Sequence, residues 1–216
     1  MPKVKLPRKS TIVDMTAMCD VAFLLLSFFI LATKQKPAEV LSVSPPNSIS
    51  STAAPDKSIL ITMTKEGKAF LTLGDETKKG EILENINLAK GLNLSAAELA
   101  KWGKTEFIGL PLNQIKGSLA LATPIPPTKL PGIPIKDSMN NEMVDWLRSV
   151  TNVYAGGDQA QLEKMLLVKG DNQALYPMFK NIKAAFKKNQ IYKFRIVTNG
   201  EAVPVGSELY LNPPKK

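Results

Sequence analysis

The strongest pattern along the chain is one long, mostly apolar stretch close to the N-terminus. Residues 13–33 read VDMTAMCDVAFLLLSFFILAT and have basic residues on both sides. At a helical rise of about 1.5 Å per residue, such a stretch covers the roughly 30 Å hydrocarbon core of a bilayer. No second apolar run approaches that length. The pattern therefore predicts a single transmembrane helix over 13–33.

Basic residues are distributed unequally around this predicted span. Four precede it and two follow it directly, namely Lys3, Lys5, Arg8 and Lys9, then Lys34 and Lys36. Because Lys and Arg collect on the cytoplasmic side of a span, we expect residues 1–12 to form a cytoplasmic tail and the rest of the chain to lie outside.

A cleaved secretory signal is the alternative reading of this N-terminus. Asp14 and Asp20 interrupt its early apolar region, and no small-residue cleavage pattern precedes Lys34. These features favour a retained anchor.

Asp20 is the most informative residue of the span. A carboxylate at the centre of a transmembrane helix costs about 2.5 to 3.5 kcal/mol on insertion scales, so it usually has a partner, a water-lined path or a protonation role. At about 100° per residue, Thr16 lies roughly 40° from Asp20 and Ser27 roughly 20° from it. The three side chains therefore form one polar stripe, which we expect to face protein or water. Alternatively, Thr16 and Ser27 only donate hydrogen bonds to carbonyls of their own helix.

The remainder of the chain predicts a linker and a small α+β domain. Residues 34–57 are rich in Pro, Ser and Ala without a sustained period, which is typical of a flexible or extended linker. Strand-like alternation and helical spacing then give the order β-β-α-β-α-β for a sandwich over 58–92 and 162–216. The predicted elements are strands at 58–64 and 69–73, a helix at 80–92, a strand at 164–169, a helix at 175–189 and a strand at 192–198.

A long segment, 93–161, separates the two halves of this predicted domain. Ser95 and Glu98 form a capping-box pattern that predicts a short helix ending near Trp102. A proline-rich stretch follows over 110–134, and an amphipathic helix is predicted over 138–153. Because the flanking elements complete the sandwich pattern, we expect this segment to be an addition outside the sandwich core, with Trp146 packed against the domain rather than exposed.

Composition excludes several classes of function. The 216 residues carry a net charge of +9, yet the lysines are spread along the chain without clustered aromatics, so we expect no nucleic-acid partner. The chain has no histidine and one cysteine, Cys19. It therefore cannot assemble a Ser/His/Asp triad, a Cys/His site or a typical zinc site. We predict neither an enzyme nor a cofactor.

The layout resembles the ExbD/TolR family of proton-driven membrane proteins. The family's span typically begins with Asn, a hydrophobic residue, Thr-Pro, two further residues and Asp-Val, followed by a long apolar run. The stretch DMTAMCDV matches this pattern at Thr16, Asp20 and Val21 and departs from it at Asp14 and Ala17. Residues 166–198 resemble the family's strand, charged turn, tyrosine-led helix and final strand. The resemblance covers roughly 1–92 and 162–198.

The resemblance implies a partner and a mechanism. The partner would be an ExbB/TolQ-like oligomer of the bacterial inner membrane that surrounds a pair of these helices. Asp20 would lie in its pore, alternately protonated and ionised. The periplasmic domain and linker would dimerise and pass the motion to a TonB-like or Tol/Pal-like protein.

Three readings stay open. The first is an ExbD-like transducer for outer-membrane transport, and the second is a TolR-like or motility-type force transducer. The third is an anchored periplasmic binding module in which Asp20 is incidental.

Overall fold

The structure, a computed structural model, describes residues 15–32, 41–49, 52–55, 57–121, 125–136, 140–155 and 159–211. The chain divides into two compact units, Met1–Glu39 and Val40–Lys216. The first unit contains helix α1 (Met15–Ala32). The second contains the remaining described elements, which are β1 (Asn47–Ser48), β2 (Ile59–Met63), β3 (Ala69–Leu73), α2 (Glu76–Lys90), α3 (Ala96–Gly103), α4 (Leu112–Leu119), a 3-10 turn (Pro127–Lys129), α5 (Met143–Tyr154), α6 (Gln159–Met165), β4 (Leu166–Gly170), α7 (Tyr176–Lys188), β5 (Arg195–Ile196), β6 (Asn199–Gly200) and α8 (Glu208–Leu211).

The domain is built on a four-stranded sheet with the order β3-β2-β4-β5. Strands β2 and β3 form an antiparallel hairpin, whereas β2 and β4, and β4 and β5, run parallel. Helix α7 connects the parallel strands β4 and β5, as a parallel connection requires. The fold is therefore α+β and contains the predicted β-β-α and β-α-β halves.

Local signals explain where the elements begin and end. The hairpin turns at Gly67, whose φ of 78° lies in the left-handed region that glycine adopts without strain. Helix α2 begins at Glu76, four residues before the predicted start, because the Asp75 side chain accepts a hydrogen bond from the backbone of Thr77. The capping box of Ser95 and Glu98 is present at the start of α3.

The last two predicted strands are shorter than their sequence patterns indicate. Helix α6 runs through Met165, so β4 begins at Leu166 instead of residue 164. Only Arg195 and Ile196 of the predicted strand at 192–198 form β5. Phe194 instead stacks on Phe186 of α7 with a distance of 4.8 Å between ring centroids. The chain before β5 thus packs on the helix rather than along β4.

The segment 93–161 is part of the domain core, and the expectation that it lies outside the sandwich core is wrong. Trp146, Leu147 and Val150 of α5 are fully buried in the same cluster as β2, β3, α2 and α7. Helix α5 packs against both α2 and α7. The buried Asn189 side chain at the end of α7 donates a hydrogen bond of 3.0 Å to the carbonyl of Val144. Packing of Trp146 inside the domain is as expected.

The same segment covers one edge of the sheet. Ile108 exchanges backbone hydrogen bonds of 2.9 and 2.8 Å with Leu71 of β3, and Ile133 donates one of 2.8 Å to the carbonyl of Ala69. These isolated bridges continue the antiparallel pairing beyond β3. The backbone groups on the outer side of β3 are therefore partly paired within the chain.

Part of the predicted linker is folded onto the domain. The backbone amide of Ser44 donates a hydrogen bond of 3.1 Å to the Asp171 carboxylate. The backbone carbonyl of Ser44 accepts one of 2.8 Å from the amide of Asn172. Strand β1 pairs in parallel with β6, and Val43 is buried. Residues 41–49 consequently belong to the folded domain. Residues 39–43, EVLSV, also have a strand-like pattern in the sequence. Residues 33–40, and with them the first two of this pattern, lie outside the described residues.

Candidate functional site

Helix α1 carries the candidate membrane span. Its 18 residues contain no glycine or proline, and the helix covers about 27 Å along its axis. It is the one helix among the described residues that is long and apolar enough to cross a membrane. None of its side chains is buried within the chain. Exposure of this many large apolar side chains indicates a lipid or protein environment rather than water.

Polar side chains are rare on α1, and three of them lie where the sequence predicts. Asp20 is one helical turn after Thr16 and two turns before Ser27. In α-helical geometry this places Thr16 about 6 Å and Ser27 about 10.5 Å from Asp20 along the axis. The helix brings the three residues onto one stripe, but Ser27 is too far along the axis to reach the carboxylate.

The carboxylate of Asp20 is exposed and has no hydrogen-bond or ion-pair partner among the residues that the structure describes. The Ser27 hydroxyl donates to the carbonyl of Leu24 in its own helix at 2.9 Å. A hydrogen bond from Ser27 to its own helix is one of the two possibilities that the sequence left open. Because the hydroxyl proton is used in this bond, the Ser27 oxygen can only accept a further hydrogen bond. A stabilising donor for ionised Asp20 must therefore come from outside the described residues of this chain.

One cleft of the domain lies entirely within the 93–161 segment. It has a volume of about 590 Å³ and is bounded by α3, α4 and the 3-10 turn. Its walls are mostly apolar and include the buried side chains of Trp102, Ile115 and Leu130. At its rim, the Lys101 ammonium donates hydrogen bonds to the carbonyls of Leu119 and Leu121, which close the end of α4. A cleft of this size and character is suited to an apolar group of a partner or ligand.

Another cleft, of about 500 Å³, is polar and lies where residues 41–44 meet the β2–β3 turn. Asp171 lies at its edge and accepts backbone hydrogen bonds from Gln173 and Ser44. These two bonds lower the pKa of the Asp171 carboxyl from its ordinary value, with the Gln173 amide contributing most. The carboxylate therefore holds the linker residue against the domain in its ionised form.

Glu142 links the proline-rich part of the segment to α5. Its carboxylate accepts a hydrogen bond of 2.9 Å from the amide of Leu112, the first residue of α4. The pKa of Glu142 is raised from its ordinary value, chiefly because the carboxyl group is buried. Nearby Asp145 raises this pKa further, and the hydrogen bond from the Leu112 amide partly offsets the rise. Asp145 itself forms an ion pair with Lys90 of α2 at 2.6 Å. This set of charges joins α2, α4 and α5.

Sequence reasoning did not single out Asp171, Glu142 or Lys101. Asp171 follows a predicted strand and begins a turn, which is a usable signal for a capping or turn role. Glu142 and Lys101 bond to backbone groups 30 and 18 residues away in the chain, respectively. Contacts over such separations leave no local pattern.

Comparison with known proteins gives one match. Residues 7–201 match the family described as biopolymer transport protein ExbD/TolR, so the match begins before α1 and ends beyond β6. No curated protein and no solved structure matches the chain. The matched range covers most of the 216 residues and includes Asp20. The chain therefore belongs to the ExbD/TolR family of biopolymer transport proteins.

Proposed function

We propose that the chain is the proton-coupling subunit of an inner-membrane motor, with Asp20 as the group that takes up and releases protons. The observation that carries this proposal is the Asp20 carboxylate, which lies in an apolar helix and has no partner among the described residues. In the ExbD-like form of the proposal, the motor drives a TonB-like protein for energised transport across the outer membrane.

The free energy needed to place a carboxylate in lipid supports a protein environment for α1. Placing it against lipid would cost about 2.5 to 3.5 kcal/mol, whereas a pore provides water and hydrogen-bond donors. Members of the family work with ExbB/TolQ-type membrane partners, and we propose that such an oligomer surrounds a pair of α1 helices. Thr16 and Ser27 then face the same pore as Asp20.

The proton gradient supplies enough energy for this role. One elementary charge that moves through 100 mV yields about 2.3 kcal/mol, so a few protons can drive a conformational change of the external domain. Asp20 needs only to alternate between its protonated and ionised forms. No catalytic or metal-binding group is required, and the proposed subunit has no enzymatic activity of its own.

Family membership and the apolar helix fit a single-pass protein of the inner membrane. We propose that residues 1–12 are cytoplasmic and that the domain is periplasmic, on the basis of the four basic residues before the span against two directly after it. The linker would then reach the domain from the membrane on the periplasmic side.

A TolR-like or motility-type transducer is the alternative within the family. It uses the same acid in the same way and differs in the protein that it drives. A neighbouring reading frame that encodes a TonB-like or a Pal-like protein would distinguish the two inexpensively. An anchored binding module, the third reading, predicts instead that Asp20 is dispensable.

For the 93–161 segment we propose contact with the driven protein. Support comes from the apolar cleft of about 590 Å³, which lies within this segment and is open to the surface. An alternative is that the segment makes a second contact with the membrane oligomer.

Asp20→Asn tests the proposal, because it keeps the size and hydrogen bonding of the side chain but removes titration. We expect normal insertion, normal co-purification with the ExbB-like partner, and loss of transport or force that depends on the proton gradient. Asp20→Glu should retain at most part of the activity. Glu84→Gln is the matched control, since it removes an exposed carboxylate on α2 far from the span in sequence.

Two results would contradict the proposal in different ways. Failed assembly of Asp20→Asn with the partner would indicate a structural role for the acid. Full activity in that variant would exclude proton coupling through Asp20 and would favour the anchored binding module.

A further inference from the structure

The surface of α7 carries a stripe of like charge. Lys180, Lys183 and Lys187 are all exposed and lie at helical spacings of three and four residues, within about 60° of one another around the helix. Tyr176 continues the stripe at the N-terminal end. The opposite face of the same helix is buried through Ile182, Ala185 and Phe186.

All charged side chains in α7 and in the sequence directly around it are basic. The sequence contains no Asp or Glu from residue 172 to residue 200, but it contains six basic residues there, namely Lys180, Lys183, Lys187, Lys188, Lys193 and Arg195. None of the ion pairs in the described part of the chain involves the three stripe lysines. Lys183 instead lies 5.9 Å from the ring centroid of Phe179. Like charges at these spacings repel one another, so the stripe destabilises the isolated helix slightly.

Large apolar surface adjoins the charge at one end of the helix. Leu175 and Tyr176 are 69% and 66% exposed, although both are large side chains. Basic residues next to exposed aromatic and aliphatic side chains are the combination found in segments that lie at a membrane surface. The lysines attract anionic headgroups, and the apolar side chains enter the boundary between headgroups and acyl chains.

A short tether, residues 33–43, connects helix α1 to the domain in the sequence. Helix α1 ends at Ala32, and Ser44 is the first described residue whose backbone bonds to the domain, at Asp171 and Asn172. The eleven residues from 33 to 43 span at most about 40 Å when fully extended. The tether joins the domain four residues before Tyr176, where α7 begins. The stripe therefore begins close in the chain to the residues that bind the linker, in a protein that carries its own candidate membrane span.

We propose that the α7 stripe, Tyr176, Lys180, Lys183 and Lys187, binds the surface of a bilayer that contains anionic phospholipids. Leu175 and Tyr176 enter the interface, and the three ammonium groups contact lipid phosphates. Binding holds the domain on the membrane, and release leaves it on its tether. This role is independent of proton coupling at Asp20, because it uses a different surface and a different ligand.

The test uses the full-length protein in lipid nanodiscs with a fluorescent reporter at the tether end of α7. Cys19→Ser removes the natural thiol, and Gln173→Cys places an environment-sensitive nitrobenzoxadiazole label at an exposed position. A nitroxide-labelled lipid quenches the label only when the domain lies on the bilayer. We expect quenching in discs with about 30% phosphatidylglycerol, at least about two-fold weaker quenching in phosphatidylcholine discs, and reversal at about 0.5 M NaCl.

Two matched triple variants separate the stripe from net charge. Lys180→Gln/Lys183→Gln/Lys187→Gln should lose the quenching, whereas Lys104→Gln/Lys116→Gln/Lys129→Gln removes the same charge from exposed positions of the 93–161 segment and should retain it. Circular dichroism melting checks that both variants are folded, as expected for surface substitutions.

Several outcomes overturn the proposal. Equal quenching in the two types of disc excludes recognition of anionic lipid, and undiminished quenching in the folded stripe variant excludes these lysines. Stripe-dependent binding of poly-L-glutamate without quenching in phosphatidylglycerol discs would assign the stripe to an acidic protein partner instead.

Discussion

The backbone of Gly109 lies directly against the ring of Phe70, a fully buried residue of β3. A Cβ atom at residue 109 would overlap Cδ1 and Cε1 of that ring and approach Leu130 to 3.3 Å. The contact joins the 93–161 segment to the central sheet on the side where Ile108 bridges to Leu71. Glycine is therefore required here by space rather than by backbone conformation.

Gly109→Ala should destabilise the domain by about 1 to 3 kcal/mol, because the buried ring has to move or the segment has to lift from the sheet. Gly117→Ala is the matched control. It lies within α4 with no atom near its added methyl group, so it should stabilise the protein by up to about 1 kcal/mol. Urea denaturation of a fragment that begins at Val40 measures both free energies of unfolding. Equal stability of the two variants would mean that this segment does not pack on the sheet.

The hairpin, α2, α3 and α7 could be predicted from the sequence because their signals are local. Alternating apolar residues flank a turn at Gly67, and Ser95 and Glu98 mark the start of α3. The position of the 93–161 segment could not, because its bridges join Ile108 and Ile133 to residues that are 37 and 64 positions earlier in the chain. Local periodicity contains no information about such pairings.

In the candidate site, too, some features could be predicted from the sequence and others could not. Helical spacing alone puts Thr16, Asp20 and Ser27 on one stripe. The sequence could not decide whether the Ser27 hydroxyl points to a pore or back to its own helix, because both are compatible with a serine in a span. In the structure, the Ser27 hydroxyl donates to the carbonyl of Leu24 in its own helix.

The raised pKa of Glu142 predicts how stability depends on pH. Burial makes the folded protein hold the Glu142 proton more tightly than the unfolded chain, in which the ordinary value is 4.5. The stabilisation by the protonated form is fully present below that value and is lost as pH rises through the higher folded value. The wild-type protein should therefore lose stability relative to Glu142→Gln as pH rises from about 4 to 7.

Glu142→Gln keeps an oxygen that can accept the hydrogen bond from Leu112, so the comparison isolates the charge. Melting temperatures of the two proteins, measured across this pH interval, give the difference in stability between the wild type and Glu142→Gln. Glu106→Gln, at an exposed position, should leave the pH profile of the wild type unchanged. A difference that grows as the pH falls would show that the carboxylate stabilises this junction in its ionised form.

The orientation of the span can be tested by cysteine labelling. In a Cys19→Ser background, single cysteines replace Ser10 or Ser51, which lie on opposite sides of the predicted span. The basic bias predicts that an impermeant maleimide labels residue 51 in intact cells and labels residue 10 only after lysis. Labelling at residue 10 in intact cells would invert the topology and place the domain in the cytoplasm.

The two edges of the sheet differ in a way that predicts where two copies meet. The outer side of β3 is bridged by Ile108 and Ile133, whereas no further strand of the described chain pairs with β5. Arg195 and Ile196 of β5 are both exposed, and Ile196 is 51% exposed despite its apolar side chain. An open edge with an exposed aliphatic residue is suited to pairing with another strand.

We therefore expect the proposed dimer to form through β5. In a Cys19→Ser background, Ile196→Cys should give a disulfide-linked dimer in membranes under mild oxidation if the two copies of residue 196 lie opposite one another, because directly opposite residues of an antiparallel pair are within about 5.5 Å. Leu88→Cys on α2 is the matched control: Leu88 is 75% exposed but lies on a helix, so its cysteine variant should stay monomeric on a non-reducing gel. Equal cross-linking of the two variants would reflect random collision, and cross-linking of Leu88→Cys alone would move the interface to the helical side of the domain.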